Sequence, residues 1–224
     1  NKLTLRAALP KGGELVEKFI LDDSNYKLEH SISVNGTSLS QPIKLHWENY
    51  LDRIEKNVAY EKMYSTVYFK ASDAKTDYCS CSSDDTKELP NKKVDWISHS
   101  HQFFNSTLMS AAGFSNVKNE THMMLDNAPE MKLIKSDLEI ESELITNKEF
   151  KMQWYIGPNE YNRLNEFKNG LADIISYGWS IFGTINRYAI RPLFVALESF
   201  IGSKGIIILL MTFLVKLLVF PLAY

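Results

Sequence analysis

The sequence has little cysteine and no excess of charge of either sign. Its two cysteines, Cys79 and Cys81, form a single C-x-C pair, from which no disulfide framework can be built. The 25 Lys and Arg residues nearly balance the 27 Asp and Glu residues, and there is no long basic run. These absences argue against a nucleic-acid-binding protein and against a domain held together by disulfides.

The motifs of several enzyme classes are also missing. The sequence contains no G-x-S-x-G, no phosphate-binding loop and no dinucleotide-binding fingerprint. Carboxylates are frequent, but pairs such as Asp84 and Asp85 lie in polar stretches and not in an evident pocket, where acid–base catalysis would need them. We therefore expect a protein that is not an enzyme and that needs no cofactor.

An apolar stretch at the end of the chain is the most informative feature that is present. Residues 205–224 are almost wholly apolar apart from Thr212 and Lys216. As a helix, twenty residues extend about 30 Å, the thickness of the hydrocarbon core of a bilayer. A helix that is apolar on all sides crosses a membrane or lies at the centre of a large core. We favour a transmembrane helix here; a buried core helix is the alternative.

Lys216 is the unusual residue of this stretch, because it has apolar neighbours on both sides. A charge in mid-bilayer costs about 2.5–3.5 kcal/mol on insertion scales, so such a residue usually faces a polar cavity or a partner. The alternative is snorkelling, in which the ammonium group reaches the lipid headgroups. Tyr224 is eight residues away, about 12 Å along a helix, which is a long reach.

Residues 1–156 have the pattern of an antiparallel β domain. Apolar and polar residues alternate over 26–34, 43–49, 138–144 and 150–156, and 64–69 is rich in β-branched and aromatic residues. Asn35-Gly36 supplies a turn. There is no βαβ rhythm and no internal repeat. Many alternating runs separated by turn residues predict a sandwich or a barrel.

The segment 71–93 interrupts this pattern, because it is polar and poor in apolar side chains. We interpret it as a long exposed loop or insertion. Cys79 and Cys81 in this loop, with His99 and His101 nearby in sequence, invite the hypothesis of a zinc site, since alternate residues on a strand point the same way. We favour two incidental pairs and predict that no metal is bound.

The spacing of apolar residues changes from that of a strand to that of a helix after Pro158. Asn159 can cap a helix that continues through Leu164, Phe167 and Leu171, and 177–179 marks a break. A second helix, amphipathic over 191–201, follows with Pro192 in its first turn. Because of its position before the apolar stretch, we favour a helix in the membrane interface over a core helix. Its apolar face is formed by Leu193, Phe194, Leu197, Phe200 and Ile201.

Several motifs in the same order resemble the bacterial YidC membrane-protein insertase family. They are W-Y-I-G-P from Trp154, Y-G-W from Tyr177, P-L-F from Pro192 and the G-S-K-G stretch that leads into the apolar run. Upstream, Trp96 and Gln102-Phe103-Phe104 are similar to the W-(x)5-Q-x-F element of that family. The resemblance covers 94–224, whereas 1–93 match only in strand pattern and position.

The resemblance implies a mainly β architecture in four parts. Residues 1–156 would be a periplasmic β-supersandwich, related in fold to sugar-binding sandwiches. They would be followed by a linker helix region over 157–186, a periplasmic interfacial helix over 187–204 and the first transmembrane helix of the insertase core over 205–224. The protein would be a multi-pass protein of the bacterial inner membrane, with residues 1 to about 204 on the periplasmic side.

The resemblance also implies a function. The family receives hydrophobic segments of nascent membrane proteins in a hydrophilic intramembrane groove and releases them into lipid, alone or with the Sec translocon. Lys216 occupies the position of an arginine that lines this groove, so the charge is kept but the planar five-donor group is lost. Expected partners are nascent membrane proteins, the Sec translocon, the lipid bilayer and the ribosome, the last through parts outside this chain; no nucleic acid is expected.

A second hypothesis is a carbohydrate-binding or carbohydrate-processing sandwich anchored by one helix. Fold analogy alone supports it. Asn1 is not a methionine and the apolar run reaches Tyr224, so we expect a piece of a longer protein. The insertase hypothesis predicts about four further apolar spans after Tyr224, whereas the anchor hypothesis predicts a short basic tail.

Overall fold

The computed structural model describes residues 1–10, 12–22, 25–176 and 180–223, without the side chains of 180–182, 187, 218, 219 and 221–223. The predicted break at 177–179 lies outside these residues. The chain divides into two compact units, Asn1–Ile174 and Ile175–Tyr224. The predicted boundaries at 156, 186 and 204 stay predictions, but the first unit includes the residues that follow Pro158 up to Ile174.

The first unit consists mainly of antiparallel strands with a few short helices. The helices are α1 (Val58–Met63), α2 (Ser142–Ile145) and α3 (Tyr161–Asn165), followed by a 3-10 turn over Leu171–Ile174. The strands are β1 (Lys2–Ala8), β2 (Glu14–Asp22), β3 (Lys27–Asn35), β4 (Ile43–Asp52), β5 (Thr66–Ala71), β6 (Asp77–Tyr78), β7 (Asp85–Leu89), β8 (Val94–Ser100), β9 (Phe104–Met123), β10 (Glu130–Ile140) and β11 (Phe150–Pro158).

The strands form two sheets that share β9. The first sheet has the order β1-β2-β3-β11-β9-β8-β5-β6, and in the second β10 lies between β4 and β9 while β7 pairs with β9. The first half of β9 pairs with β11, with Met109 opposite Gln153. Its second half pairs with β10, with Met123 opposite Lys132. Gly113 separates the halves at a positive φ of 74°, which favours glycine.

Alternating burial along the strands produces the core between the sheets. In β10, Ile134, Ser136, Leu138 and Ile140 are buried, while Lys135, Asp137 and Glu139 between them are only partly covered. The predicted strands over 26–34, 43–49, 64–69 and 150–156 are confirmed as β3, β4, β5 and β11. An antiparallel β-sandwich-like domain is therefore the architecture of the first unit.

Three local predictions were wrong. The segment 71–93 contains β6 and β7, which pair with β5 and β9, so it is not an extended exposed loop. Polar residues are accepted there because β7 lies at a sheet edge, where backbone pairing needs no apolar side chains. Leu144 lies in α2 and not in a continued strand. The predicted helix after Pro158 is broken, with Lys168 and Gly170 at positive φ.

The second unit is helical. It contains α4 (Ser180–Ile185), a π-helical turn over Asn186–Ile190, α5 (Arg191–Glu198) and α6 (Lys204–Ala223). Pro192 lies in the first turn of α5, as predicted, because proline lacks the amide hydrogen that this position does not use. α5 packs against α6, where Ile207 and Met211 are buried four residues apart on one helix face.

Candidate functional site

The end of β11 and the turn between β8 and β9 are joined by Asn159. Its side-chain amide donates to the carbonyl oxygens of His101 at 2.9 Å and Gln102 at 3.1 Å, and its oxygen accepts from Asn105 at 2.7 Å. The prediction that Asn159 caps a helix was therefore wrong. Glu160 precedes α3, without a capping side-chain hydrogen bond. The buried carbonyls of the β8–β9 turn require a donor, and Asn159 supplies it.

The W-Y-I-G-P motif has a structural role in this region. The Tyr155 hydroxyl donates to the carbonyl oxygen of Pro158 at 2.7 Å. A Cβ on Gly157 would lie 2.8 Å from that hydroxyl oxygen and 3.0 Å from the Cβ of Tyr26, so only glycine fits. The Trp154 indole donates to His30 Nδ1 at 3.4 Å. These contacts fix the chain where it leaves the sheet.

Trp96 attaches the segment after Pro158 to the first sheet. Its buried indole donates to the carbonyl oxygen of Asn169 at 3.1 Å, and the Lys70 ammonium donates to the same oxygen at 3.0 Å. Leu164 and Leu171 of this segment are fully buried. The sequence motif around Trp96 therefore marks a packing contact between the β-sheet and the helical segment.

A buried carboxylate holds α1 beside the β8–β9 turn. Glu61 is fully buried and accepts from the backbone amides of Ile54 at 3.1 Å and Glu55 at 3.2 Å. His101 Nδ1 accepts from the Gln102 amide at 2.9 Å, so Nε2 carries the ring hydrogen and donates to the carbonyl oxygen of Asp52 at 3.2 Å. Glu61 Oε1 lies 3.0 Å from the same Nε2. No local sequence pattern around Glu61 indicates that its side chain is buried.

A buried ammonium group lies at the start of β10. Lys132 is fully buried and donates to the carbonyl oxygens of Lys62 at 2.7 Å, Cys81 at 2.7 Å and Ser65. Burial lowers the pKa of Lys132 to about 8. Three carbonyl oxygens match the three donors of the ammonium and offset part of its desolvation. Lys132 is in phase with Ile134 and Leu138, and this register could have predicted its burial.

His99 belongs to a polar chain within the core. Ser136 donates to Asn119 at 2.6 Å, so the Ser136 oxygen accepts from His99 Nε2, which lies 2.9 Å away. Trp47 stacks on the imidazole with the ring centroids 3.6 Å apart. Burial lowers the pKa of His99 to about 3, so the ring is neutral at physiological pH. His99 therefore serves as a packed, neutral core residue.

The four residues considered for zinc have other partners. Cys79 is buried with its thiol 3.7 Å from the carbonyl oxygen of Asn119, and burial raises its pKa to about 12. His99 bonds Ser136, and His101 bonds the carbonyl oxygen of Asp52 and lies 3.0 Å from Glu61. Across the described ranges, no three His, Cys, Asp or Glu side chains are grouped as metal ligands. That Cys79, Cys81, His99 and His101 bind no zinc stays a prediction.

Two clefts open on the first unit. The larger has a volume of about 770 Å³ and is lined by residues that include Lys18, Ser31, Met109, Lys151 and Phe167. On its rim Lys18 pairs with Glu149 at 2.9 Å, which lowers the pKa of that carboxyl.

The smaller cleft, of about 600 Å³, lies where Tyr26, Asn49, His99 and Phe104 meet. Both clefts combine apolar and polar groups, as small-molecule sites do.

The apolar face predicted for the second unit is only partly covered. Leu193, Phe194, Leu197 and Ile201 are half-buried, whereas Glu198 is exposed. Phe200 lies after the last residue of α5 and is 88% exposed. α5 thus carries one covered and one open side, with Phe200 projecting from the turn that follows it.

Lys216 lies on α6 and is exposed, as are Phe213 and Leu217 beside it. Among the residues whose side chains are described, no helix reaches the length and apolarity needed to cross a membrane.

The fold defines a class of protein: an antiparallel β-sandwich with a docked helical segment, continued by a separate helical unit. The family model for the YidC periplasmic domain matches residues 1–189. The chain therefore belongs to the YidC family.

Named relatives agree with this membership. The membrane protein insertase YidC of Parabacteroides distasonis is 29% identical over 237 aligned positions, which cover all of this chain and 37% of that protein. The proteins of the same name from Phocaeicola vulgatus and Porphyromonas gingivalis are 27% and 26% identical, with all of this chain and 38% of each relative covered. The chain thus spans less than two fifths of the length of these relatives.

Proposed function

We propose that this chain is the periplasmic domain and the beginning of the membrane core of a membrane protein insertase. The insertase receives hydrophobic segments of nascent membrane proteins in a hydrophilic intramembrane groove and releases them into the bilayer, alone or with the Sec translocon. The observation that carries the proposal is the family match over 1–189, joined to an apolar helix with a single central cation. The activity is binding and release, without covalent catalysis or a cofactor.

The proposed arrangement follows the chain. Residues 1 to about 204 lie on the periplasmic side of the bacterial inner membrane, 191–201 lie in the interface, and 205–224 begin the multi-pass core. Nascent proteins and lipid contact this part, whereas the ribosome contacts parts outside this chain. The half-covered face of α5 and the exposed apolar side chains of α6 support this arrangement.

Lys216 provides the positive charge of the groove in this proposal. A cation in a wet intramembrane groove lowers the cost of bringing polar substrate residues below the headgroups, and it can pair transiently with acidic ones. Lysine keeps the charge but presents a point charge instead of the planar guanidinium. The charge, and not a bidentate contact, is therefore the functional property.

Complementation of insertase-depleted cells by full-length variants at matched membrane levels tests the role of Lys216. We expect Lys216→Leu to insert at least as well as the parent, because it avoids a cost of about 2.5–3.5 kcal/mol, yet to complement poorly. Lys216→Arg keeps function, and Lys216→Glu is the worst because it repels acidic substrate residues.

Lys204→Leu is the matched control for these variants, since Lys204 is also exposed but lies in the first turn of α6 beside Glu198. It should complement normally. Full complementation by Lys216→Leu would show that Lys216 only positions the helix.

A membrane-anchored carbohydrate-binding or carbohydrate-processing sandwich is the second candidate. The cleft of about 770 Å³ supports it, because Lys18 and Lys151 offer donors beside the apolar ring of Phe167. Titration of the chain with neutral and acidic oligosaccharides tests this candidate. Loss of binding in Lys151→Ala, with no loss in Lys92→Ala, would support it, and absence of any binding would remove it.

A further inference from the structure

Six of the fourteen large apolar side chains that are exposed on the described residues of the first unit lie at one end of the sandwich. We call this the α1 end and define it by the segments 53–64, 101–104, 124–129 and 158–160. Six large apolar side chains on these segments are between 48% and 76% exposed. They are Ile54, Tyr60, Met63, Phe103, Phe104 and Leu125.

Hydrogen bonds and ion pairs join the four segments into one surface. Arg53 donates to the carbonyl oxygen of Leu125 at 3.0 Å, and Lys62 bonds Asp126 at 3.3 Å. His101 Nε2 lies 3.0 Å from Glu61, and Asn159 donates to the His101 carbonyl oxygen, as described above. The apolar side chains therefore project from a rigid base and not from independent loops.

The opposite end of the sandwich has no such side chains. It comprises 9–13, 35–42 and 141–149, joined by bonds from the Asn147 amide to the Val34 carbonyl at 2.7 Å and from the Gly36 amide to Asn147 at 3.3 Å. β4 and β10 run between the two ends, since Asp52 pairs with Glu130 at one and Ile43 with Ile140 at the other. In the described residues of the opposite end, no large apolar side chain is exposed. The contrast between these two ends indicates that the α1 end contacts something other than water.

We propose that the α1 end docks onto the surface of a lipid bilayer. The apolar side chains are interleaved with charged ones, such as Glu55, Lys56 and Asp126, which are also exposed. The core of a protein–protein interface is depleted of charge, whereas aromatic and aliphatic side chains among charges suit the boundary between headgroups and acyl chains. The inference rests on the proposed function in one respect: a membrane-bound C-terminal segment on the same chain holds this end at high local concentration near lipid.

Depth-dependent quenching in vesicles tests this docking. The whole chain is reconstituted into phosphatidylethanolamine and phosphatidylglycerol vesicles with brominated acyl chains, and a fluorophore is attached to one introduced cysteine. Leu125→Cys reports on the α1 end, Ser38→Cys on the opposite end and Phe200→Cys on the proposed interfacial helix. Burial raises the pKa of both native thiols, so they react slowly, and the parent chain measures the residual labelling.

We expect the fluorescence loss at position 125 to reach at least half of that at position 200, and the loss at position 38 to equal that in unbrominated lipid. Adding Ile54→Asp and Met63→Asp should abolish the loss at 125. Adding Ser38→Asp and Ser40→Asp, with the same charge at the opposite end, should leave it unchanged. All four positions are exposed or half-exposed, so the fold is retained.

The outcomes separate this inference from the proposed function. Fluorescence loss at position 200 without loss at position 125 overturns the docking of the α1 end and favours a protein partner for it. The same result supports the interfacial position of 191–201. Loss at 125 without loss at 200 supports the docking and contradicts the interfacial role of 191–201. Loss at neither position contradicts both.

Discussion

At the scale of single residues, hydrogen bonds to the backbone stabilise two buried charges in the first unit. Glu61 receives backbone amides and Lys132 donates to backbone carbonyls, and both are fully buried. Such groups cost stability when one partner is removed, because the remaining groups keep their desolvation penalty. They hold α1 and the segment around Cys81 against β10 and the β8–β9 turn.

Replacing Glu61 by glutamine should destabilise the first unit. The substitution keeps the size but replaces the charge-assisted bonds from two amides with weaker neutral ones and removes the negative charge 3.0 Å from His101 Nε2. We expect a loss of roughly 2–4 kcal/mol in the free energy of unfolding, measured by urea denaturation. Glu55→Gln, on the neighbouring exposed carboxylate, should change it by less than about 0.5 kcal/mol. Equal effects of the two substitutions would contradict the role of Glu61.

His99 should make stability fall with acid. Its folded pKa of about 3 lies below the unfolded value of 6.5, so between these values the unfolded chain binds the proton and the folded chain does not. The free energy of unfolding therefore decreases as the pH falls from 6.5 towards 3, by up to about 1.4 kcal/mol per pH unit for this group.

His99→Gln should reduce this pH dependence. The measurement is the urea midpoint between pH 7 and pH 4, compared with that of the parent. His46→Gln is the control, because the pKa of the exposed His46 is raised by its hydrogen bonds to Asp137 and then Glu48, and its removal should not flatten the acid slope. An unchanged slope in His99→Gln would show that another group is responsible.

At the scale of elements, the strands owe their stability to the core and the helices owe theirs to docking. α3 has five residues and α5 has eight, lengths at which isolated helices are unstable in water. Leu164 is buried within the first unit, and α5 contacts α6 within the second. The half-buried apolar face of α5 is the face proposed above for the interface.

Replacing Leu197 by aspartate should release α5 from the interface. Burial of a leucine side chain is worth about 1.5–3 kcal/mol, and a carboxylate adds a desolvation cost. The equilibrium constant for binding of α5 to the membrane interface should therefore fall by tenfold or more. Spin-label depth measurements in nanodiscs report the immersion of α5. Glu198→Gln, one position along on the exposed side, should have little effect. Equal immersion of positions 197 and 198 in the parent would rule out a one-sided helix.

At the scale of the whole molecule, the first unit extends beyond its last β-strand. The segment that follows Pro158 contributes the buried side chains of Leu164, Leu171 and Ile174. Its Asn169 carbonyl oxygen accepts a hydrogen bond from the buried indole of Trp96. The unit therefore ends at Ile174 in structural terms, and the helical unit begins after it.

Truncation distinguishes the two boundaries. The free energy of unfolding of a chain of residues 1–174 should exceed that of a chain of residues 1–156 by several kcal/mol, because the shorter chain lacks three large buried apolar side chains. The longer chain should therefore unfold at a higher urea concentration. Both should keep the circular dichroism of an antiparallel β domain. Identical urea midpoints would show that 157–174 add no stability, and a helix-dominated spectrum would contradict the β architecture.

Local patterns in the sequence determined the strands, the turn at Gly36, the start of α5 and the family. Alternation of apolar and polar residues depends only on near neighbours, and Pro192 acts through its own backbone, so both are visible without a structure. The motifs around Trp96 and Trp154 were visible for the same reason, although their structural roles were not.

Tertiary structure alone decided the partners of the polar residues. Cys79 is buried, and β7 forms within 71–93 because β9 pairs with it across a long sequence separation. Asn159 serves the β8–β9 turn and not a helix, and Glu61 meets His101 forty residues away. Whether a polar side chain is exposed, or buried with its bonds satisfied, depends on which distant backbone groups reach it, and that is set by the packing of the two sheets.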